Sequence, residues 1–256
     1  MIRGGRGQPA QAVVLIALLL AFASPLRAEE VVVFAAASLT DVLEEIGHDF
    51  EGASSHHVVF AFGSSGDLAR QIWMGARADV FFSADLKRMD ELERAGLVRA
   101  GDRVNVLSNV LVVVVPASST SSLRTPKDLL RLPRMAVADP EVVPAGFYAR
   151  SYFEKIGLWA ALRPKVVPSL DVRAALAAVA SGSIPAGVVY RTDARGVNAV
   201  RVAFEVPPEE GPAIVYPLAP LAASAKLATR EFVRFLLLPS TRAIYEKHGF
   251  LVLARK

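Results

Sequence analysis

The chain has 256 residues, no cysteine and a formal net charge of +4. The lack of cysteine excludes disulfides, thiolate metal centres, a cysteine nucleophile and lipid attachment through an N-terminal cysteine. Arg3, Arg6 and Arg27 fall in a first 28 residues that hold no acid, so the rest carries about +1, and no Lys/Arg cluster with interleaved aromatics points to nucleic acid.

Arg3 and Arg6 precede an apolar run from Ala12 to Ala23, then Ser24-Pro25-Leu26-Arg27-Ala28. A basic start, a short hydrophobic core, a helix-breaking proline and a small residue describe an export signal cleaved near Ala28. A membrane anchor is excluded by length, since 12 apolar residues fall short of the roughly 18–20 that span a bilayer. The expectation is a signal peptide over residues 1–28 and a free, soluble, periplasmic mature protein.

Strand and helix patterns then alternate: a strand at 31–36, a helix at 39–50, a strand at 58–62, a helix at 67–75, a strand at 79–83 and a helix at 85–95 closed by Gly96. Asn109 to Pro116 contains six successive aliphatic residues, the pattern of a strand buried on both faces. A second alternating series follows, with a short helix at Leu129-Leu130, strands at 135–138, 165–167 and 187–190, and helices at 145–156 and 172–180. A Pro/Glu/Gly loop at 207–212, a strand at 214–221 and a helical region at 226–248 broken at Pro239 complete the chain. The alternation predicts an α/β protein with two lobes, each a mostly parallel sheet flanked by helices, and a ligand in the cleft between them. Lobe 1 is expected over 29–110, with 218–256 returning to it, and lobe 2 over 111–217.

Two turns stand out, Phe34-Ala35-Ala36-Ala37-Ser38-Leu39-Thr40-Asp41 and Phe62-Gly63-Ser64-Ser65-Gly66-Asp67-Leu68. Each leaves a strand through small residues and offers a serine where a helix begins, which brings backbone amides and a positive dipole end close to a ligand. Pro144-Ala145-Gly146 before a helix, Ser169-Leu170-Asp171-Val172-Arg173 at the next helix start, and Tyr190 at a strand end extend the same donor chemistry. Serine is also a plain N-cap, and a strand-end tyrosine a packing residue.

The chain resembles the molybdate-binding proteins of bacterial ABC importers, the ModA family. The resemblance spans nearly the whole mature chain, and its marks are Phe34 to Thr40, Ala69-Arg70-Gln71-Ile72, Ala78 to Asp85, Val143 to Gly146 and Val188-Val189-Tyr190. It implies a type II solute-binding protein, a monomer, that binds molybdate and tungstate and delivers them to an inner-membrane ABC permease. It also implies ligand contacts from Ser38 and Ser65 through hydroxyl and amide, from Ala145 and Val172 through the amide, and from Tyr190 through its hydroxyl. Gly63 and Gly66-Asp67 depart from the small or hydroxylated residues that relatives often carry beside Ser65.

Independently of the family, a tetrahedral dianion offers only acceptors, so a cage of donors suits it and disfavours an oxyanion that keeps a proton. Sulfate, thiosulfate and phosphate remain alternative ligands, with Asp41, Asp67 or Asp171 as acceptors for a protonated one. A ferric site would need more than the single Tyr190. No cofactor and no free cation is expected: His56-His57 reads as a surface pair whose rings point apart, His48 and His248 show no partner at ligand spacing, and Asp79 and Asp85 read as caps. Trp73 and Trp159 read as packing residues. A serine hydrolase using Ser65 is the rival class, but the G-x-S-x-G spacing and a histidine in the context of a base are both missing, so the chain reads as no enzyme.

Overall fold

In the computed structural model, which describes residues 28–254, eleven strands divide into two sheets. The expected leader lies outside the described residues apart from Ala28. In chain order the first lobe contains β1 (Glu30–Ala36), α1 (Thr40–Ala53), β2 (His57–Gly63), α2 (Ser65–Trp73), β3 (Val80–Phe82), α3 (Leu86–Arg94) and β4 (Val104–Ser108). The second lobe follows with β5 (Leu111–Pro116), β6 (Met135–Ala138), α4 (Pro144–Lys155), α5 (Trp159–Leu162), β7 (Val166–Ser169), α6 (Val172–Ala180), β8 (Gly187–Tyr190), α7 (Arg191–Ala194) and β9 (Val200–Glu205). The chain then returns to the first sheet through β10 (Tyr216–Pro220), α8 (Leu227–Leu236), α9 (Pro239–Lys247) and β11 (Leu251–Val252).

The first sheet runs β11-β4-β10-β3-β1-β2 and the second β7-β6-β8-β5-β9. In each, three neighbouring strands are parallel: β2-β1-β3 in one and β7-β6-β8 in the other. The crossing and returning strands β5 and β10 pair antiparallel with their neighbours, so both sheets are mixed, and parallel pairing is confined to the half that βαβ crossovers build. The return strand begins at Tyr216, two residues ahead of the expected boundary at 218, because Tyr216 and Pro217 already pair with β4.

Alternation along β1 sends its side chains to two separate cores. Val31, Val33 and Ala35 face the main core with Val42, Leu43, Ile46 and Phe50 of α1, whereas Phe34 faces Leu68, Ile72, Phe81, Met89 and Leu92 under α2 and α3. Each fully buried side chain of this size contributes about 1.5–3 kcal/mol. The aliphatic run Val112 to Val115 is wholly buried between β8 and β9, as its composition predicts. No helix among the described residues is long and apolar enough to cross a membrane.

The parallel strands matter most for position. β1, β2, β6, β7 and β8 direct their carboxyl ends to the same region between the lobes, and each is followed there by the start of a turn or helix.

Candidate functional site

Ser38 lies in a 3-10 turn, Ala37–Leu39, between β1 and α1. Ser65 is the first residue of α2, and the capping role belongs instead to its neighbour Ser64, whose Oγ accepts the Asp67 amide at 3.4 Å. Asp171, not Ser169, caps α6 by accepting the Ala174 amide at 2.8 Å. Ala145 follows Pro144 at the start of α4, and Tyr190 is the last residue of β8. The amides of Ser65, Ala145 and Val172 fall in first helical turns, where no intrahelical carbonyl can reach them.

Gly146 explains how the start of α4 comes so close. A Cβ there would stand 1.9 Å from the Ala138 carbonyl oxygen, so only glycine lets the helix press onto the end of β6.

All five expected positions, Ser38, Ser65, Ala145, Val172 and Tyr190, are buried and line one small cavity between the lobes. Ser64 and Ala84 line it too, and Asp171 is its acidic member. Among the described residues no lysine, arginine or histidine lines it. Its electrostatics are therefore those of hydroxyls and the amino-terminal ends of α2, α4 and α6, whose dipoles favour negative charge, set against the Asp171 carboxylate.

The hydroxyls are oriented by what surrounds them. Ser65 Oγ accepts the Ala84 amide at 3.0 Å, leaving its own proton for another acceptor. Ser38 Oγ lies 3.1 Å from Tyr216 Oη, which in turn accepts from Asn109 Nδ2 at 3.2 Å. Tyr190 Oη is buried without a hydrogen-bond partner among the described residues. Burial pushes the Tyr190 phenol well above its ordinary range, with the neighbouring Tyr216 and Tyr148 rings adding to the effect, so it remains a donor at neutral pH. Burial raises Tyr216 likewise.

Three contacts hold the lobes together around the cavity. Arg173 of α6 reaches Asp41 of α1 at 2.8 Å while its Nε lies 2.9 Å from the fully buried Asp193. Arg88 of α3 donates to the Glu141 carbonyl at 3.1 Å. Gly66 packs directly against the Val142 carbonyl. Arg173 and Gly66 each follow an expected site residue in the chain, yet no sequence motif marks either as a bridge.

Several side chains weighed from the sequence have other roles. His56 is buried rather than exposed, because its Nδ1 accepts the Glu29 amide and its Nε2 lies 3.2 Å from Glu231. His57 is exposed beside Glu51, and His248 does have an acidic partner, Glu45, at 2.7 Å. No group of three His, Cys, Asp or Glu residues able to hold a metal occurs among the described residues. Trp73 is 62% exposed at the end of α2 and so does not pack as expected. Asp85 caps α3, whereas Asp79 joins Val32, Ser224 and Lys226 across the far end of the sheet. Asp41 and Asp67 are engaged by Arg173 and Arg70.

Comparison with known proteins places this geometry in a family. The profile of the bacterial extracellular solute-binding proteins matches residues 31–251. The molybdate-binding protein ModA of Escherichia coli is 38% identical over 229 residues, covering 87% of this chain and 89% of that one. ModA of Haemophilus influenzae is 34% identical over 227 residues, covering 86% and 89%. The fold is also that of the periplasmic molybdate-binding protein of Azotobacter vinelandii, with a TM-score of 0.78 at 24% identity, covering 88% of this chain and 100% of that one. With matches of this extent, the chain belongs to the bacterial extracellular solute-binding proteins, and among them to the ModA group.

Proposed function

We propose that this protein binds molybdate, and tungstate with it, in the cavity between its lobes and delivers the ion to an inner-membrane ABC permease. The observation that carries the reading is the buried Tyr190 hydroxyl, unpartnered among the described residues, lining the cavity together with the hydroxyls of Ser38 and Ser65. An isolated buried hydroxyl costs about 1–3 kcal/mol, a cost removed when an anion accepts from it. Ser38 and Ser65 hold the ion from the first lobe, each through hydroxyl and amide, and the Ala145 and Val172 amides and Tyr190 close on it from the second. Charge-assisted hydrogen bonds contribute about 1.5–3 kcal/mol each, so roughly seven supply more than 10 kcal/mol gross. Association and lobe closure offset several of these, leaving about 8–12 kcal/mol, micromolar to nanomolar affinity.

Family membership and the basic, apolar, proline-broken start of the chain support export and a periplasmic location. The reading involves no cofactor, no free cation and no catalysis. Ser65 has no histidine among the cavity-lining residues to serve as a base, which weighs against a hydrolase.

One observation favours a different oxyanion. Asp171 lines the cavity and could accept a hydrogen bond from the O–H of hydrogen phosphate, although its Oδ1 is already engaged in capping α6. Calorimetric titration with molybdate, tungstate, sulfate and phosphate separates the readings. Molybdate and tungstate are expected to bind at least a hundredfold tighter than the other two, and sulfate or phosphate binding equally tightly would overturn the proposal.

A further inference from the structure

Asn109 and Tyr216 stand outside the five expected ligand contacts, yet their hydrogen bonds have a direction. Asn109 lies in the crossover from β4 to β5, and Tyr216 opens the return strand β10, so both sit where the chain passes between lobes. Asn109 Oδ1 accepts the Val110 amide at 2.9 Å, which fixes the amide group's orientation. Its Nδ2 then faces outward with two hydrogens and two acceptors, Thr192 Oγ1 at 2.8 Å and Tyr216 Oη at 3.2 Å. A flipped amide would set N–H against N–H at Val110.

Tyr216 is fully buried, and its hydroxyl has one hydrogen to place. The phenol oxygen already accepts from Asn109, and Ser38 Oγ lies 3.1 Å away. If Ser38 donated to Tyr216, the phenolic hydrogen would be left buried without an acceptor, a cost of about 1–3 kcal/mol. With an anion in the cavity the opposite sense satisfies every group: Asn109 donates to Tyr216, Tyr216 donates to Ser38, and the Ser38 hydrogen turns to the anion in the cavity that Ser38 lines.

We propose that Asn109 and Tyr216 are specificity-determining positioning residues, a one-way hydrogen-bond relay that compels Ser38 to donate and so selects fully deprotonated oxyanions over protonated ones. The inference rests on the oxyanion-binding reading and deepens it. It also makes a reversal possible. In Asn109→Asp the carboxylate accepts the Tyr216 hydrogen, Tyr216 accepts the Ser38 hydrogen, and Ser38 presents a lone pair to the cavity.

The test is a titration of wild type, Asn109→Asp and Tyr216→Phe at pH 8 with molybdate, sulfate and hydrogen phosphate. All three anions carry two negative charges at that pH, so a repulsive effect of the new carboxylate lowers all affinities together and leaves their ratios intact. The relay predicts that Asn109→Asp lowers the ratio of molybdate to hydrogen phosphate affinity, and that of sulfate to hydrogen phosphate, by at least tenfold. Tyr216→Phe, which adds no charge to the interior and keeps the ring's packing, is expected to lower both ratios by about threefold to tenfold. Thermal melting establishes that each variant is folded, and the more conservative Tyr216→Phe decides the matter if Asn109→Asp is not.

Folded variants that keep the wild-type ratios would overturn the relay while leaving molybdate binding intact. A wild type that prefers sulfate to molybdate would overturn the functional reading, with the relay still judged by the sulfate ratio. A wild type that prefers hydrogen phosphate, or binds none of the three, would overturn both.

Discussion

Gly66 and Val142 meet across the cleft so closely that a Cβ on the glycine would stand 2.2 Å from the Val142 carbonyl oxygen. This is a contact between α2 of the first lobe and the loop before α4 of the second, and it exists only because the two sheets have come together. The glycine that follows Ser65 is thus the residue that lets the lobes meet.

Gly66→Ala should separate ligand binding from folding. Alanine in the first turn of α2 costs the isolated lobe nothing and favours the helix by up to about 1 kcal/mol, whereas the methyl group holds Val142 away. The ligand-free variant is expected to melt no lower than wild type, while calorimetry shows molybdate affinity reduced by at least a hundredfold. Unchanged affinity would show that the ion is held without this contact.

Tyr190→Phe and Ser65→Ala each remove one donor from the cavity. With about 1.5–3 kcal/mol per charge-assisted bond, each should weaken molybdate binding roughly 10- to 150-fold. Ser65→Ala should also melt lower, since the Ala84 amide loses its acceptor, and Tyr190→Phe should not, since its hydroxyl has no partner among the described residues to lose. Neither variant nor wild type should turn over an ester; hydrolysis lost with Ser65 would restore the enzyme reading.

Asp193 makes stability depend on pH. Burial raises its carboxyl to about 7 even though Arg173 pulls it down, against roughly 3.9 in an unfolded chain. Between these values the folded protein keeps a proton that the unfolded chain has lost, so the contribution is full at low pH and is lost as pH rises through about 7. Urea unfolding of wild type and Asp193→Asn from pH 5 to 8 should show the variant gaining relative to wild type as pH rises. Each unit of displacement is worth about 1.4 kcal/mol, and parallel pH curves would refute the assignment.

The Asp41–Arg173 pair joins the lobes at the partly exposed rim. Pairs so placed contribute about 0–1 kcal/mol and are screened by salt. Asp41→Asn should therefore weaken molybdate binding by about fivefold or less at low ionic strength and by less at 0.5 M salt. A larger loss that salt leaves untouched would mean that Asp41 acts on the Ser38 turn instead.

Much of this arrangement was legible before the fold was known, because it follows local rules. The strands at 135–138 and 187–190 and the helix at 172–180 occur as expected, since apolar period and caps agree there. Strands β4, β9 and β11 were not anticipated. β4 is five residues of mixed character, β11 is two residues long, and both depend on partners brought from more than a hundred residues away. β9, Val-Arg-Val-Ala-Phe-Glu, does alternate and could have been read. Ser38, Ser65 and Tyr190 stand out in the local pattern because each lies at a strand end or a helix start, whereas Ala145 and Val172 are picked out by the family resemblance. Asn109, Tyr216 and Arg173 do not stand out, because their roles arise from contacts 107, 178 and 132 residues apart in the chain. The burial of His56 escapes sequence reading for the same reason: the glutamate beside its ring, Glu231, comes from α8.

The absence of any cationic side chain among the described residues lining the cavity has a mechanical consequence. An ion held by arginine or lysine would leave with one side of the cleft or stay paired to it when the cleft opened. Here the donors are shared between two sheets and neither half carries a formal counter-charge. Drawing the sheets apart would strip the anion of about half its partners in a single motion and leave it to the hydroxyls and amides of one lobe alone. Any protein that grips both lobes and pries them apart would unload the cargo by force alone, with no chemistry at the site to reverse.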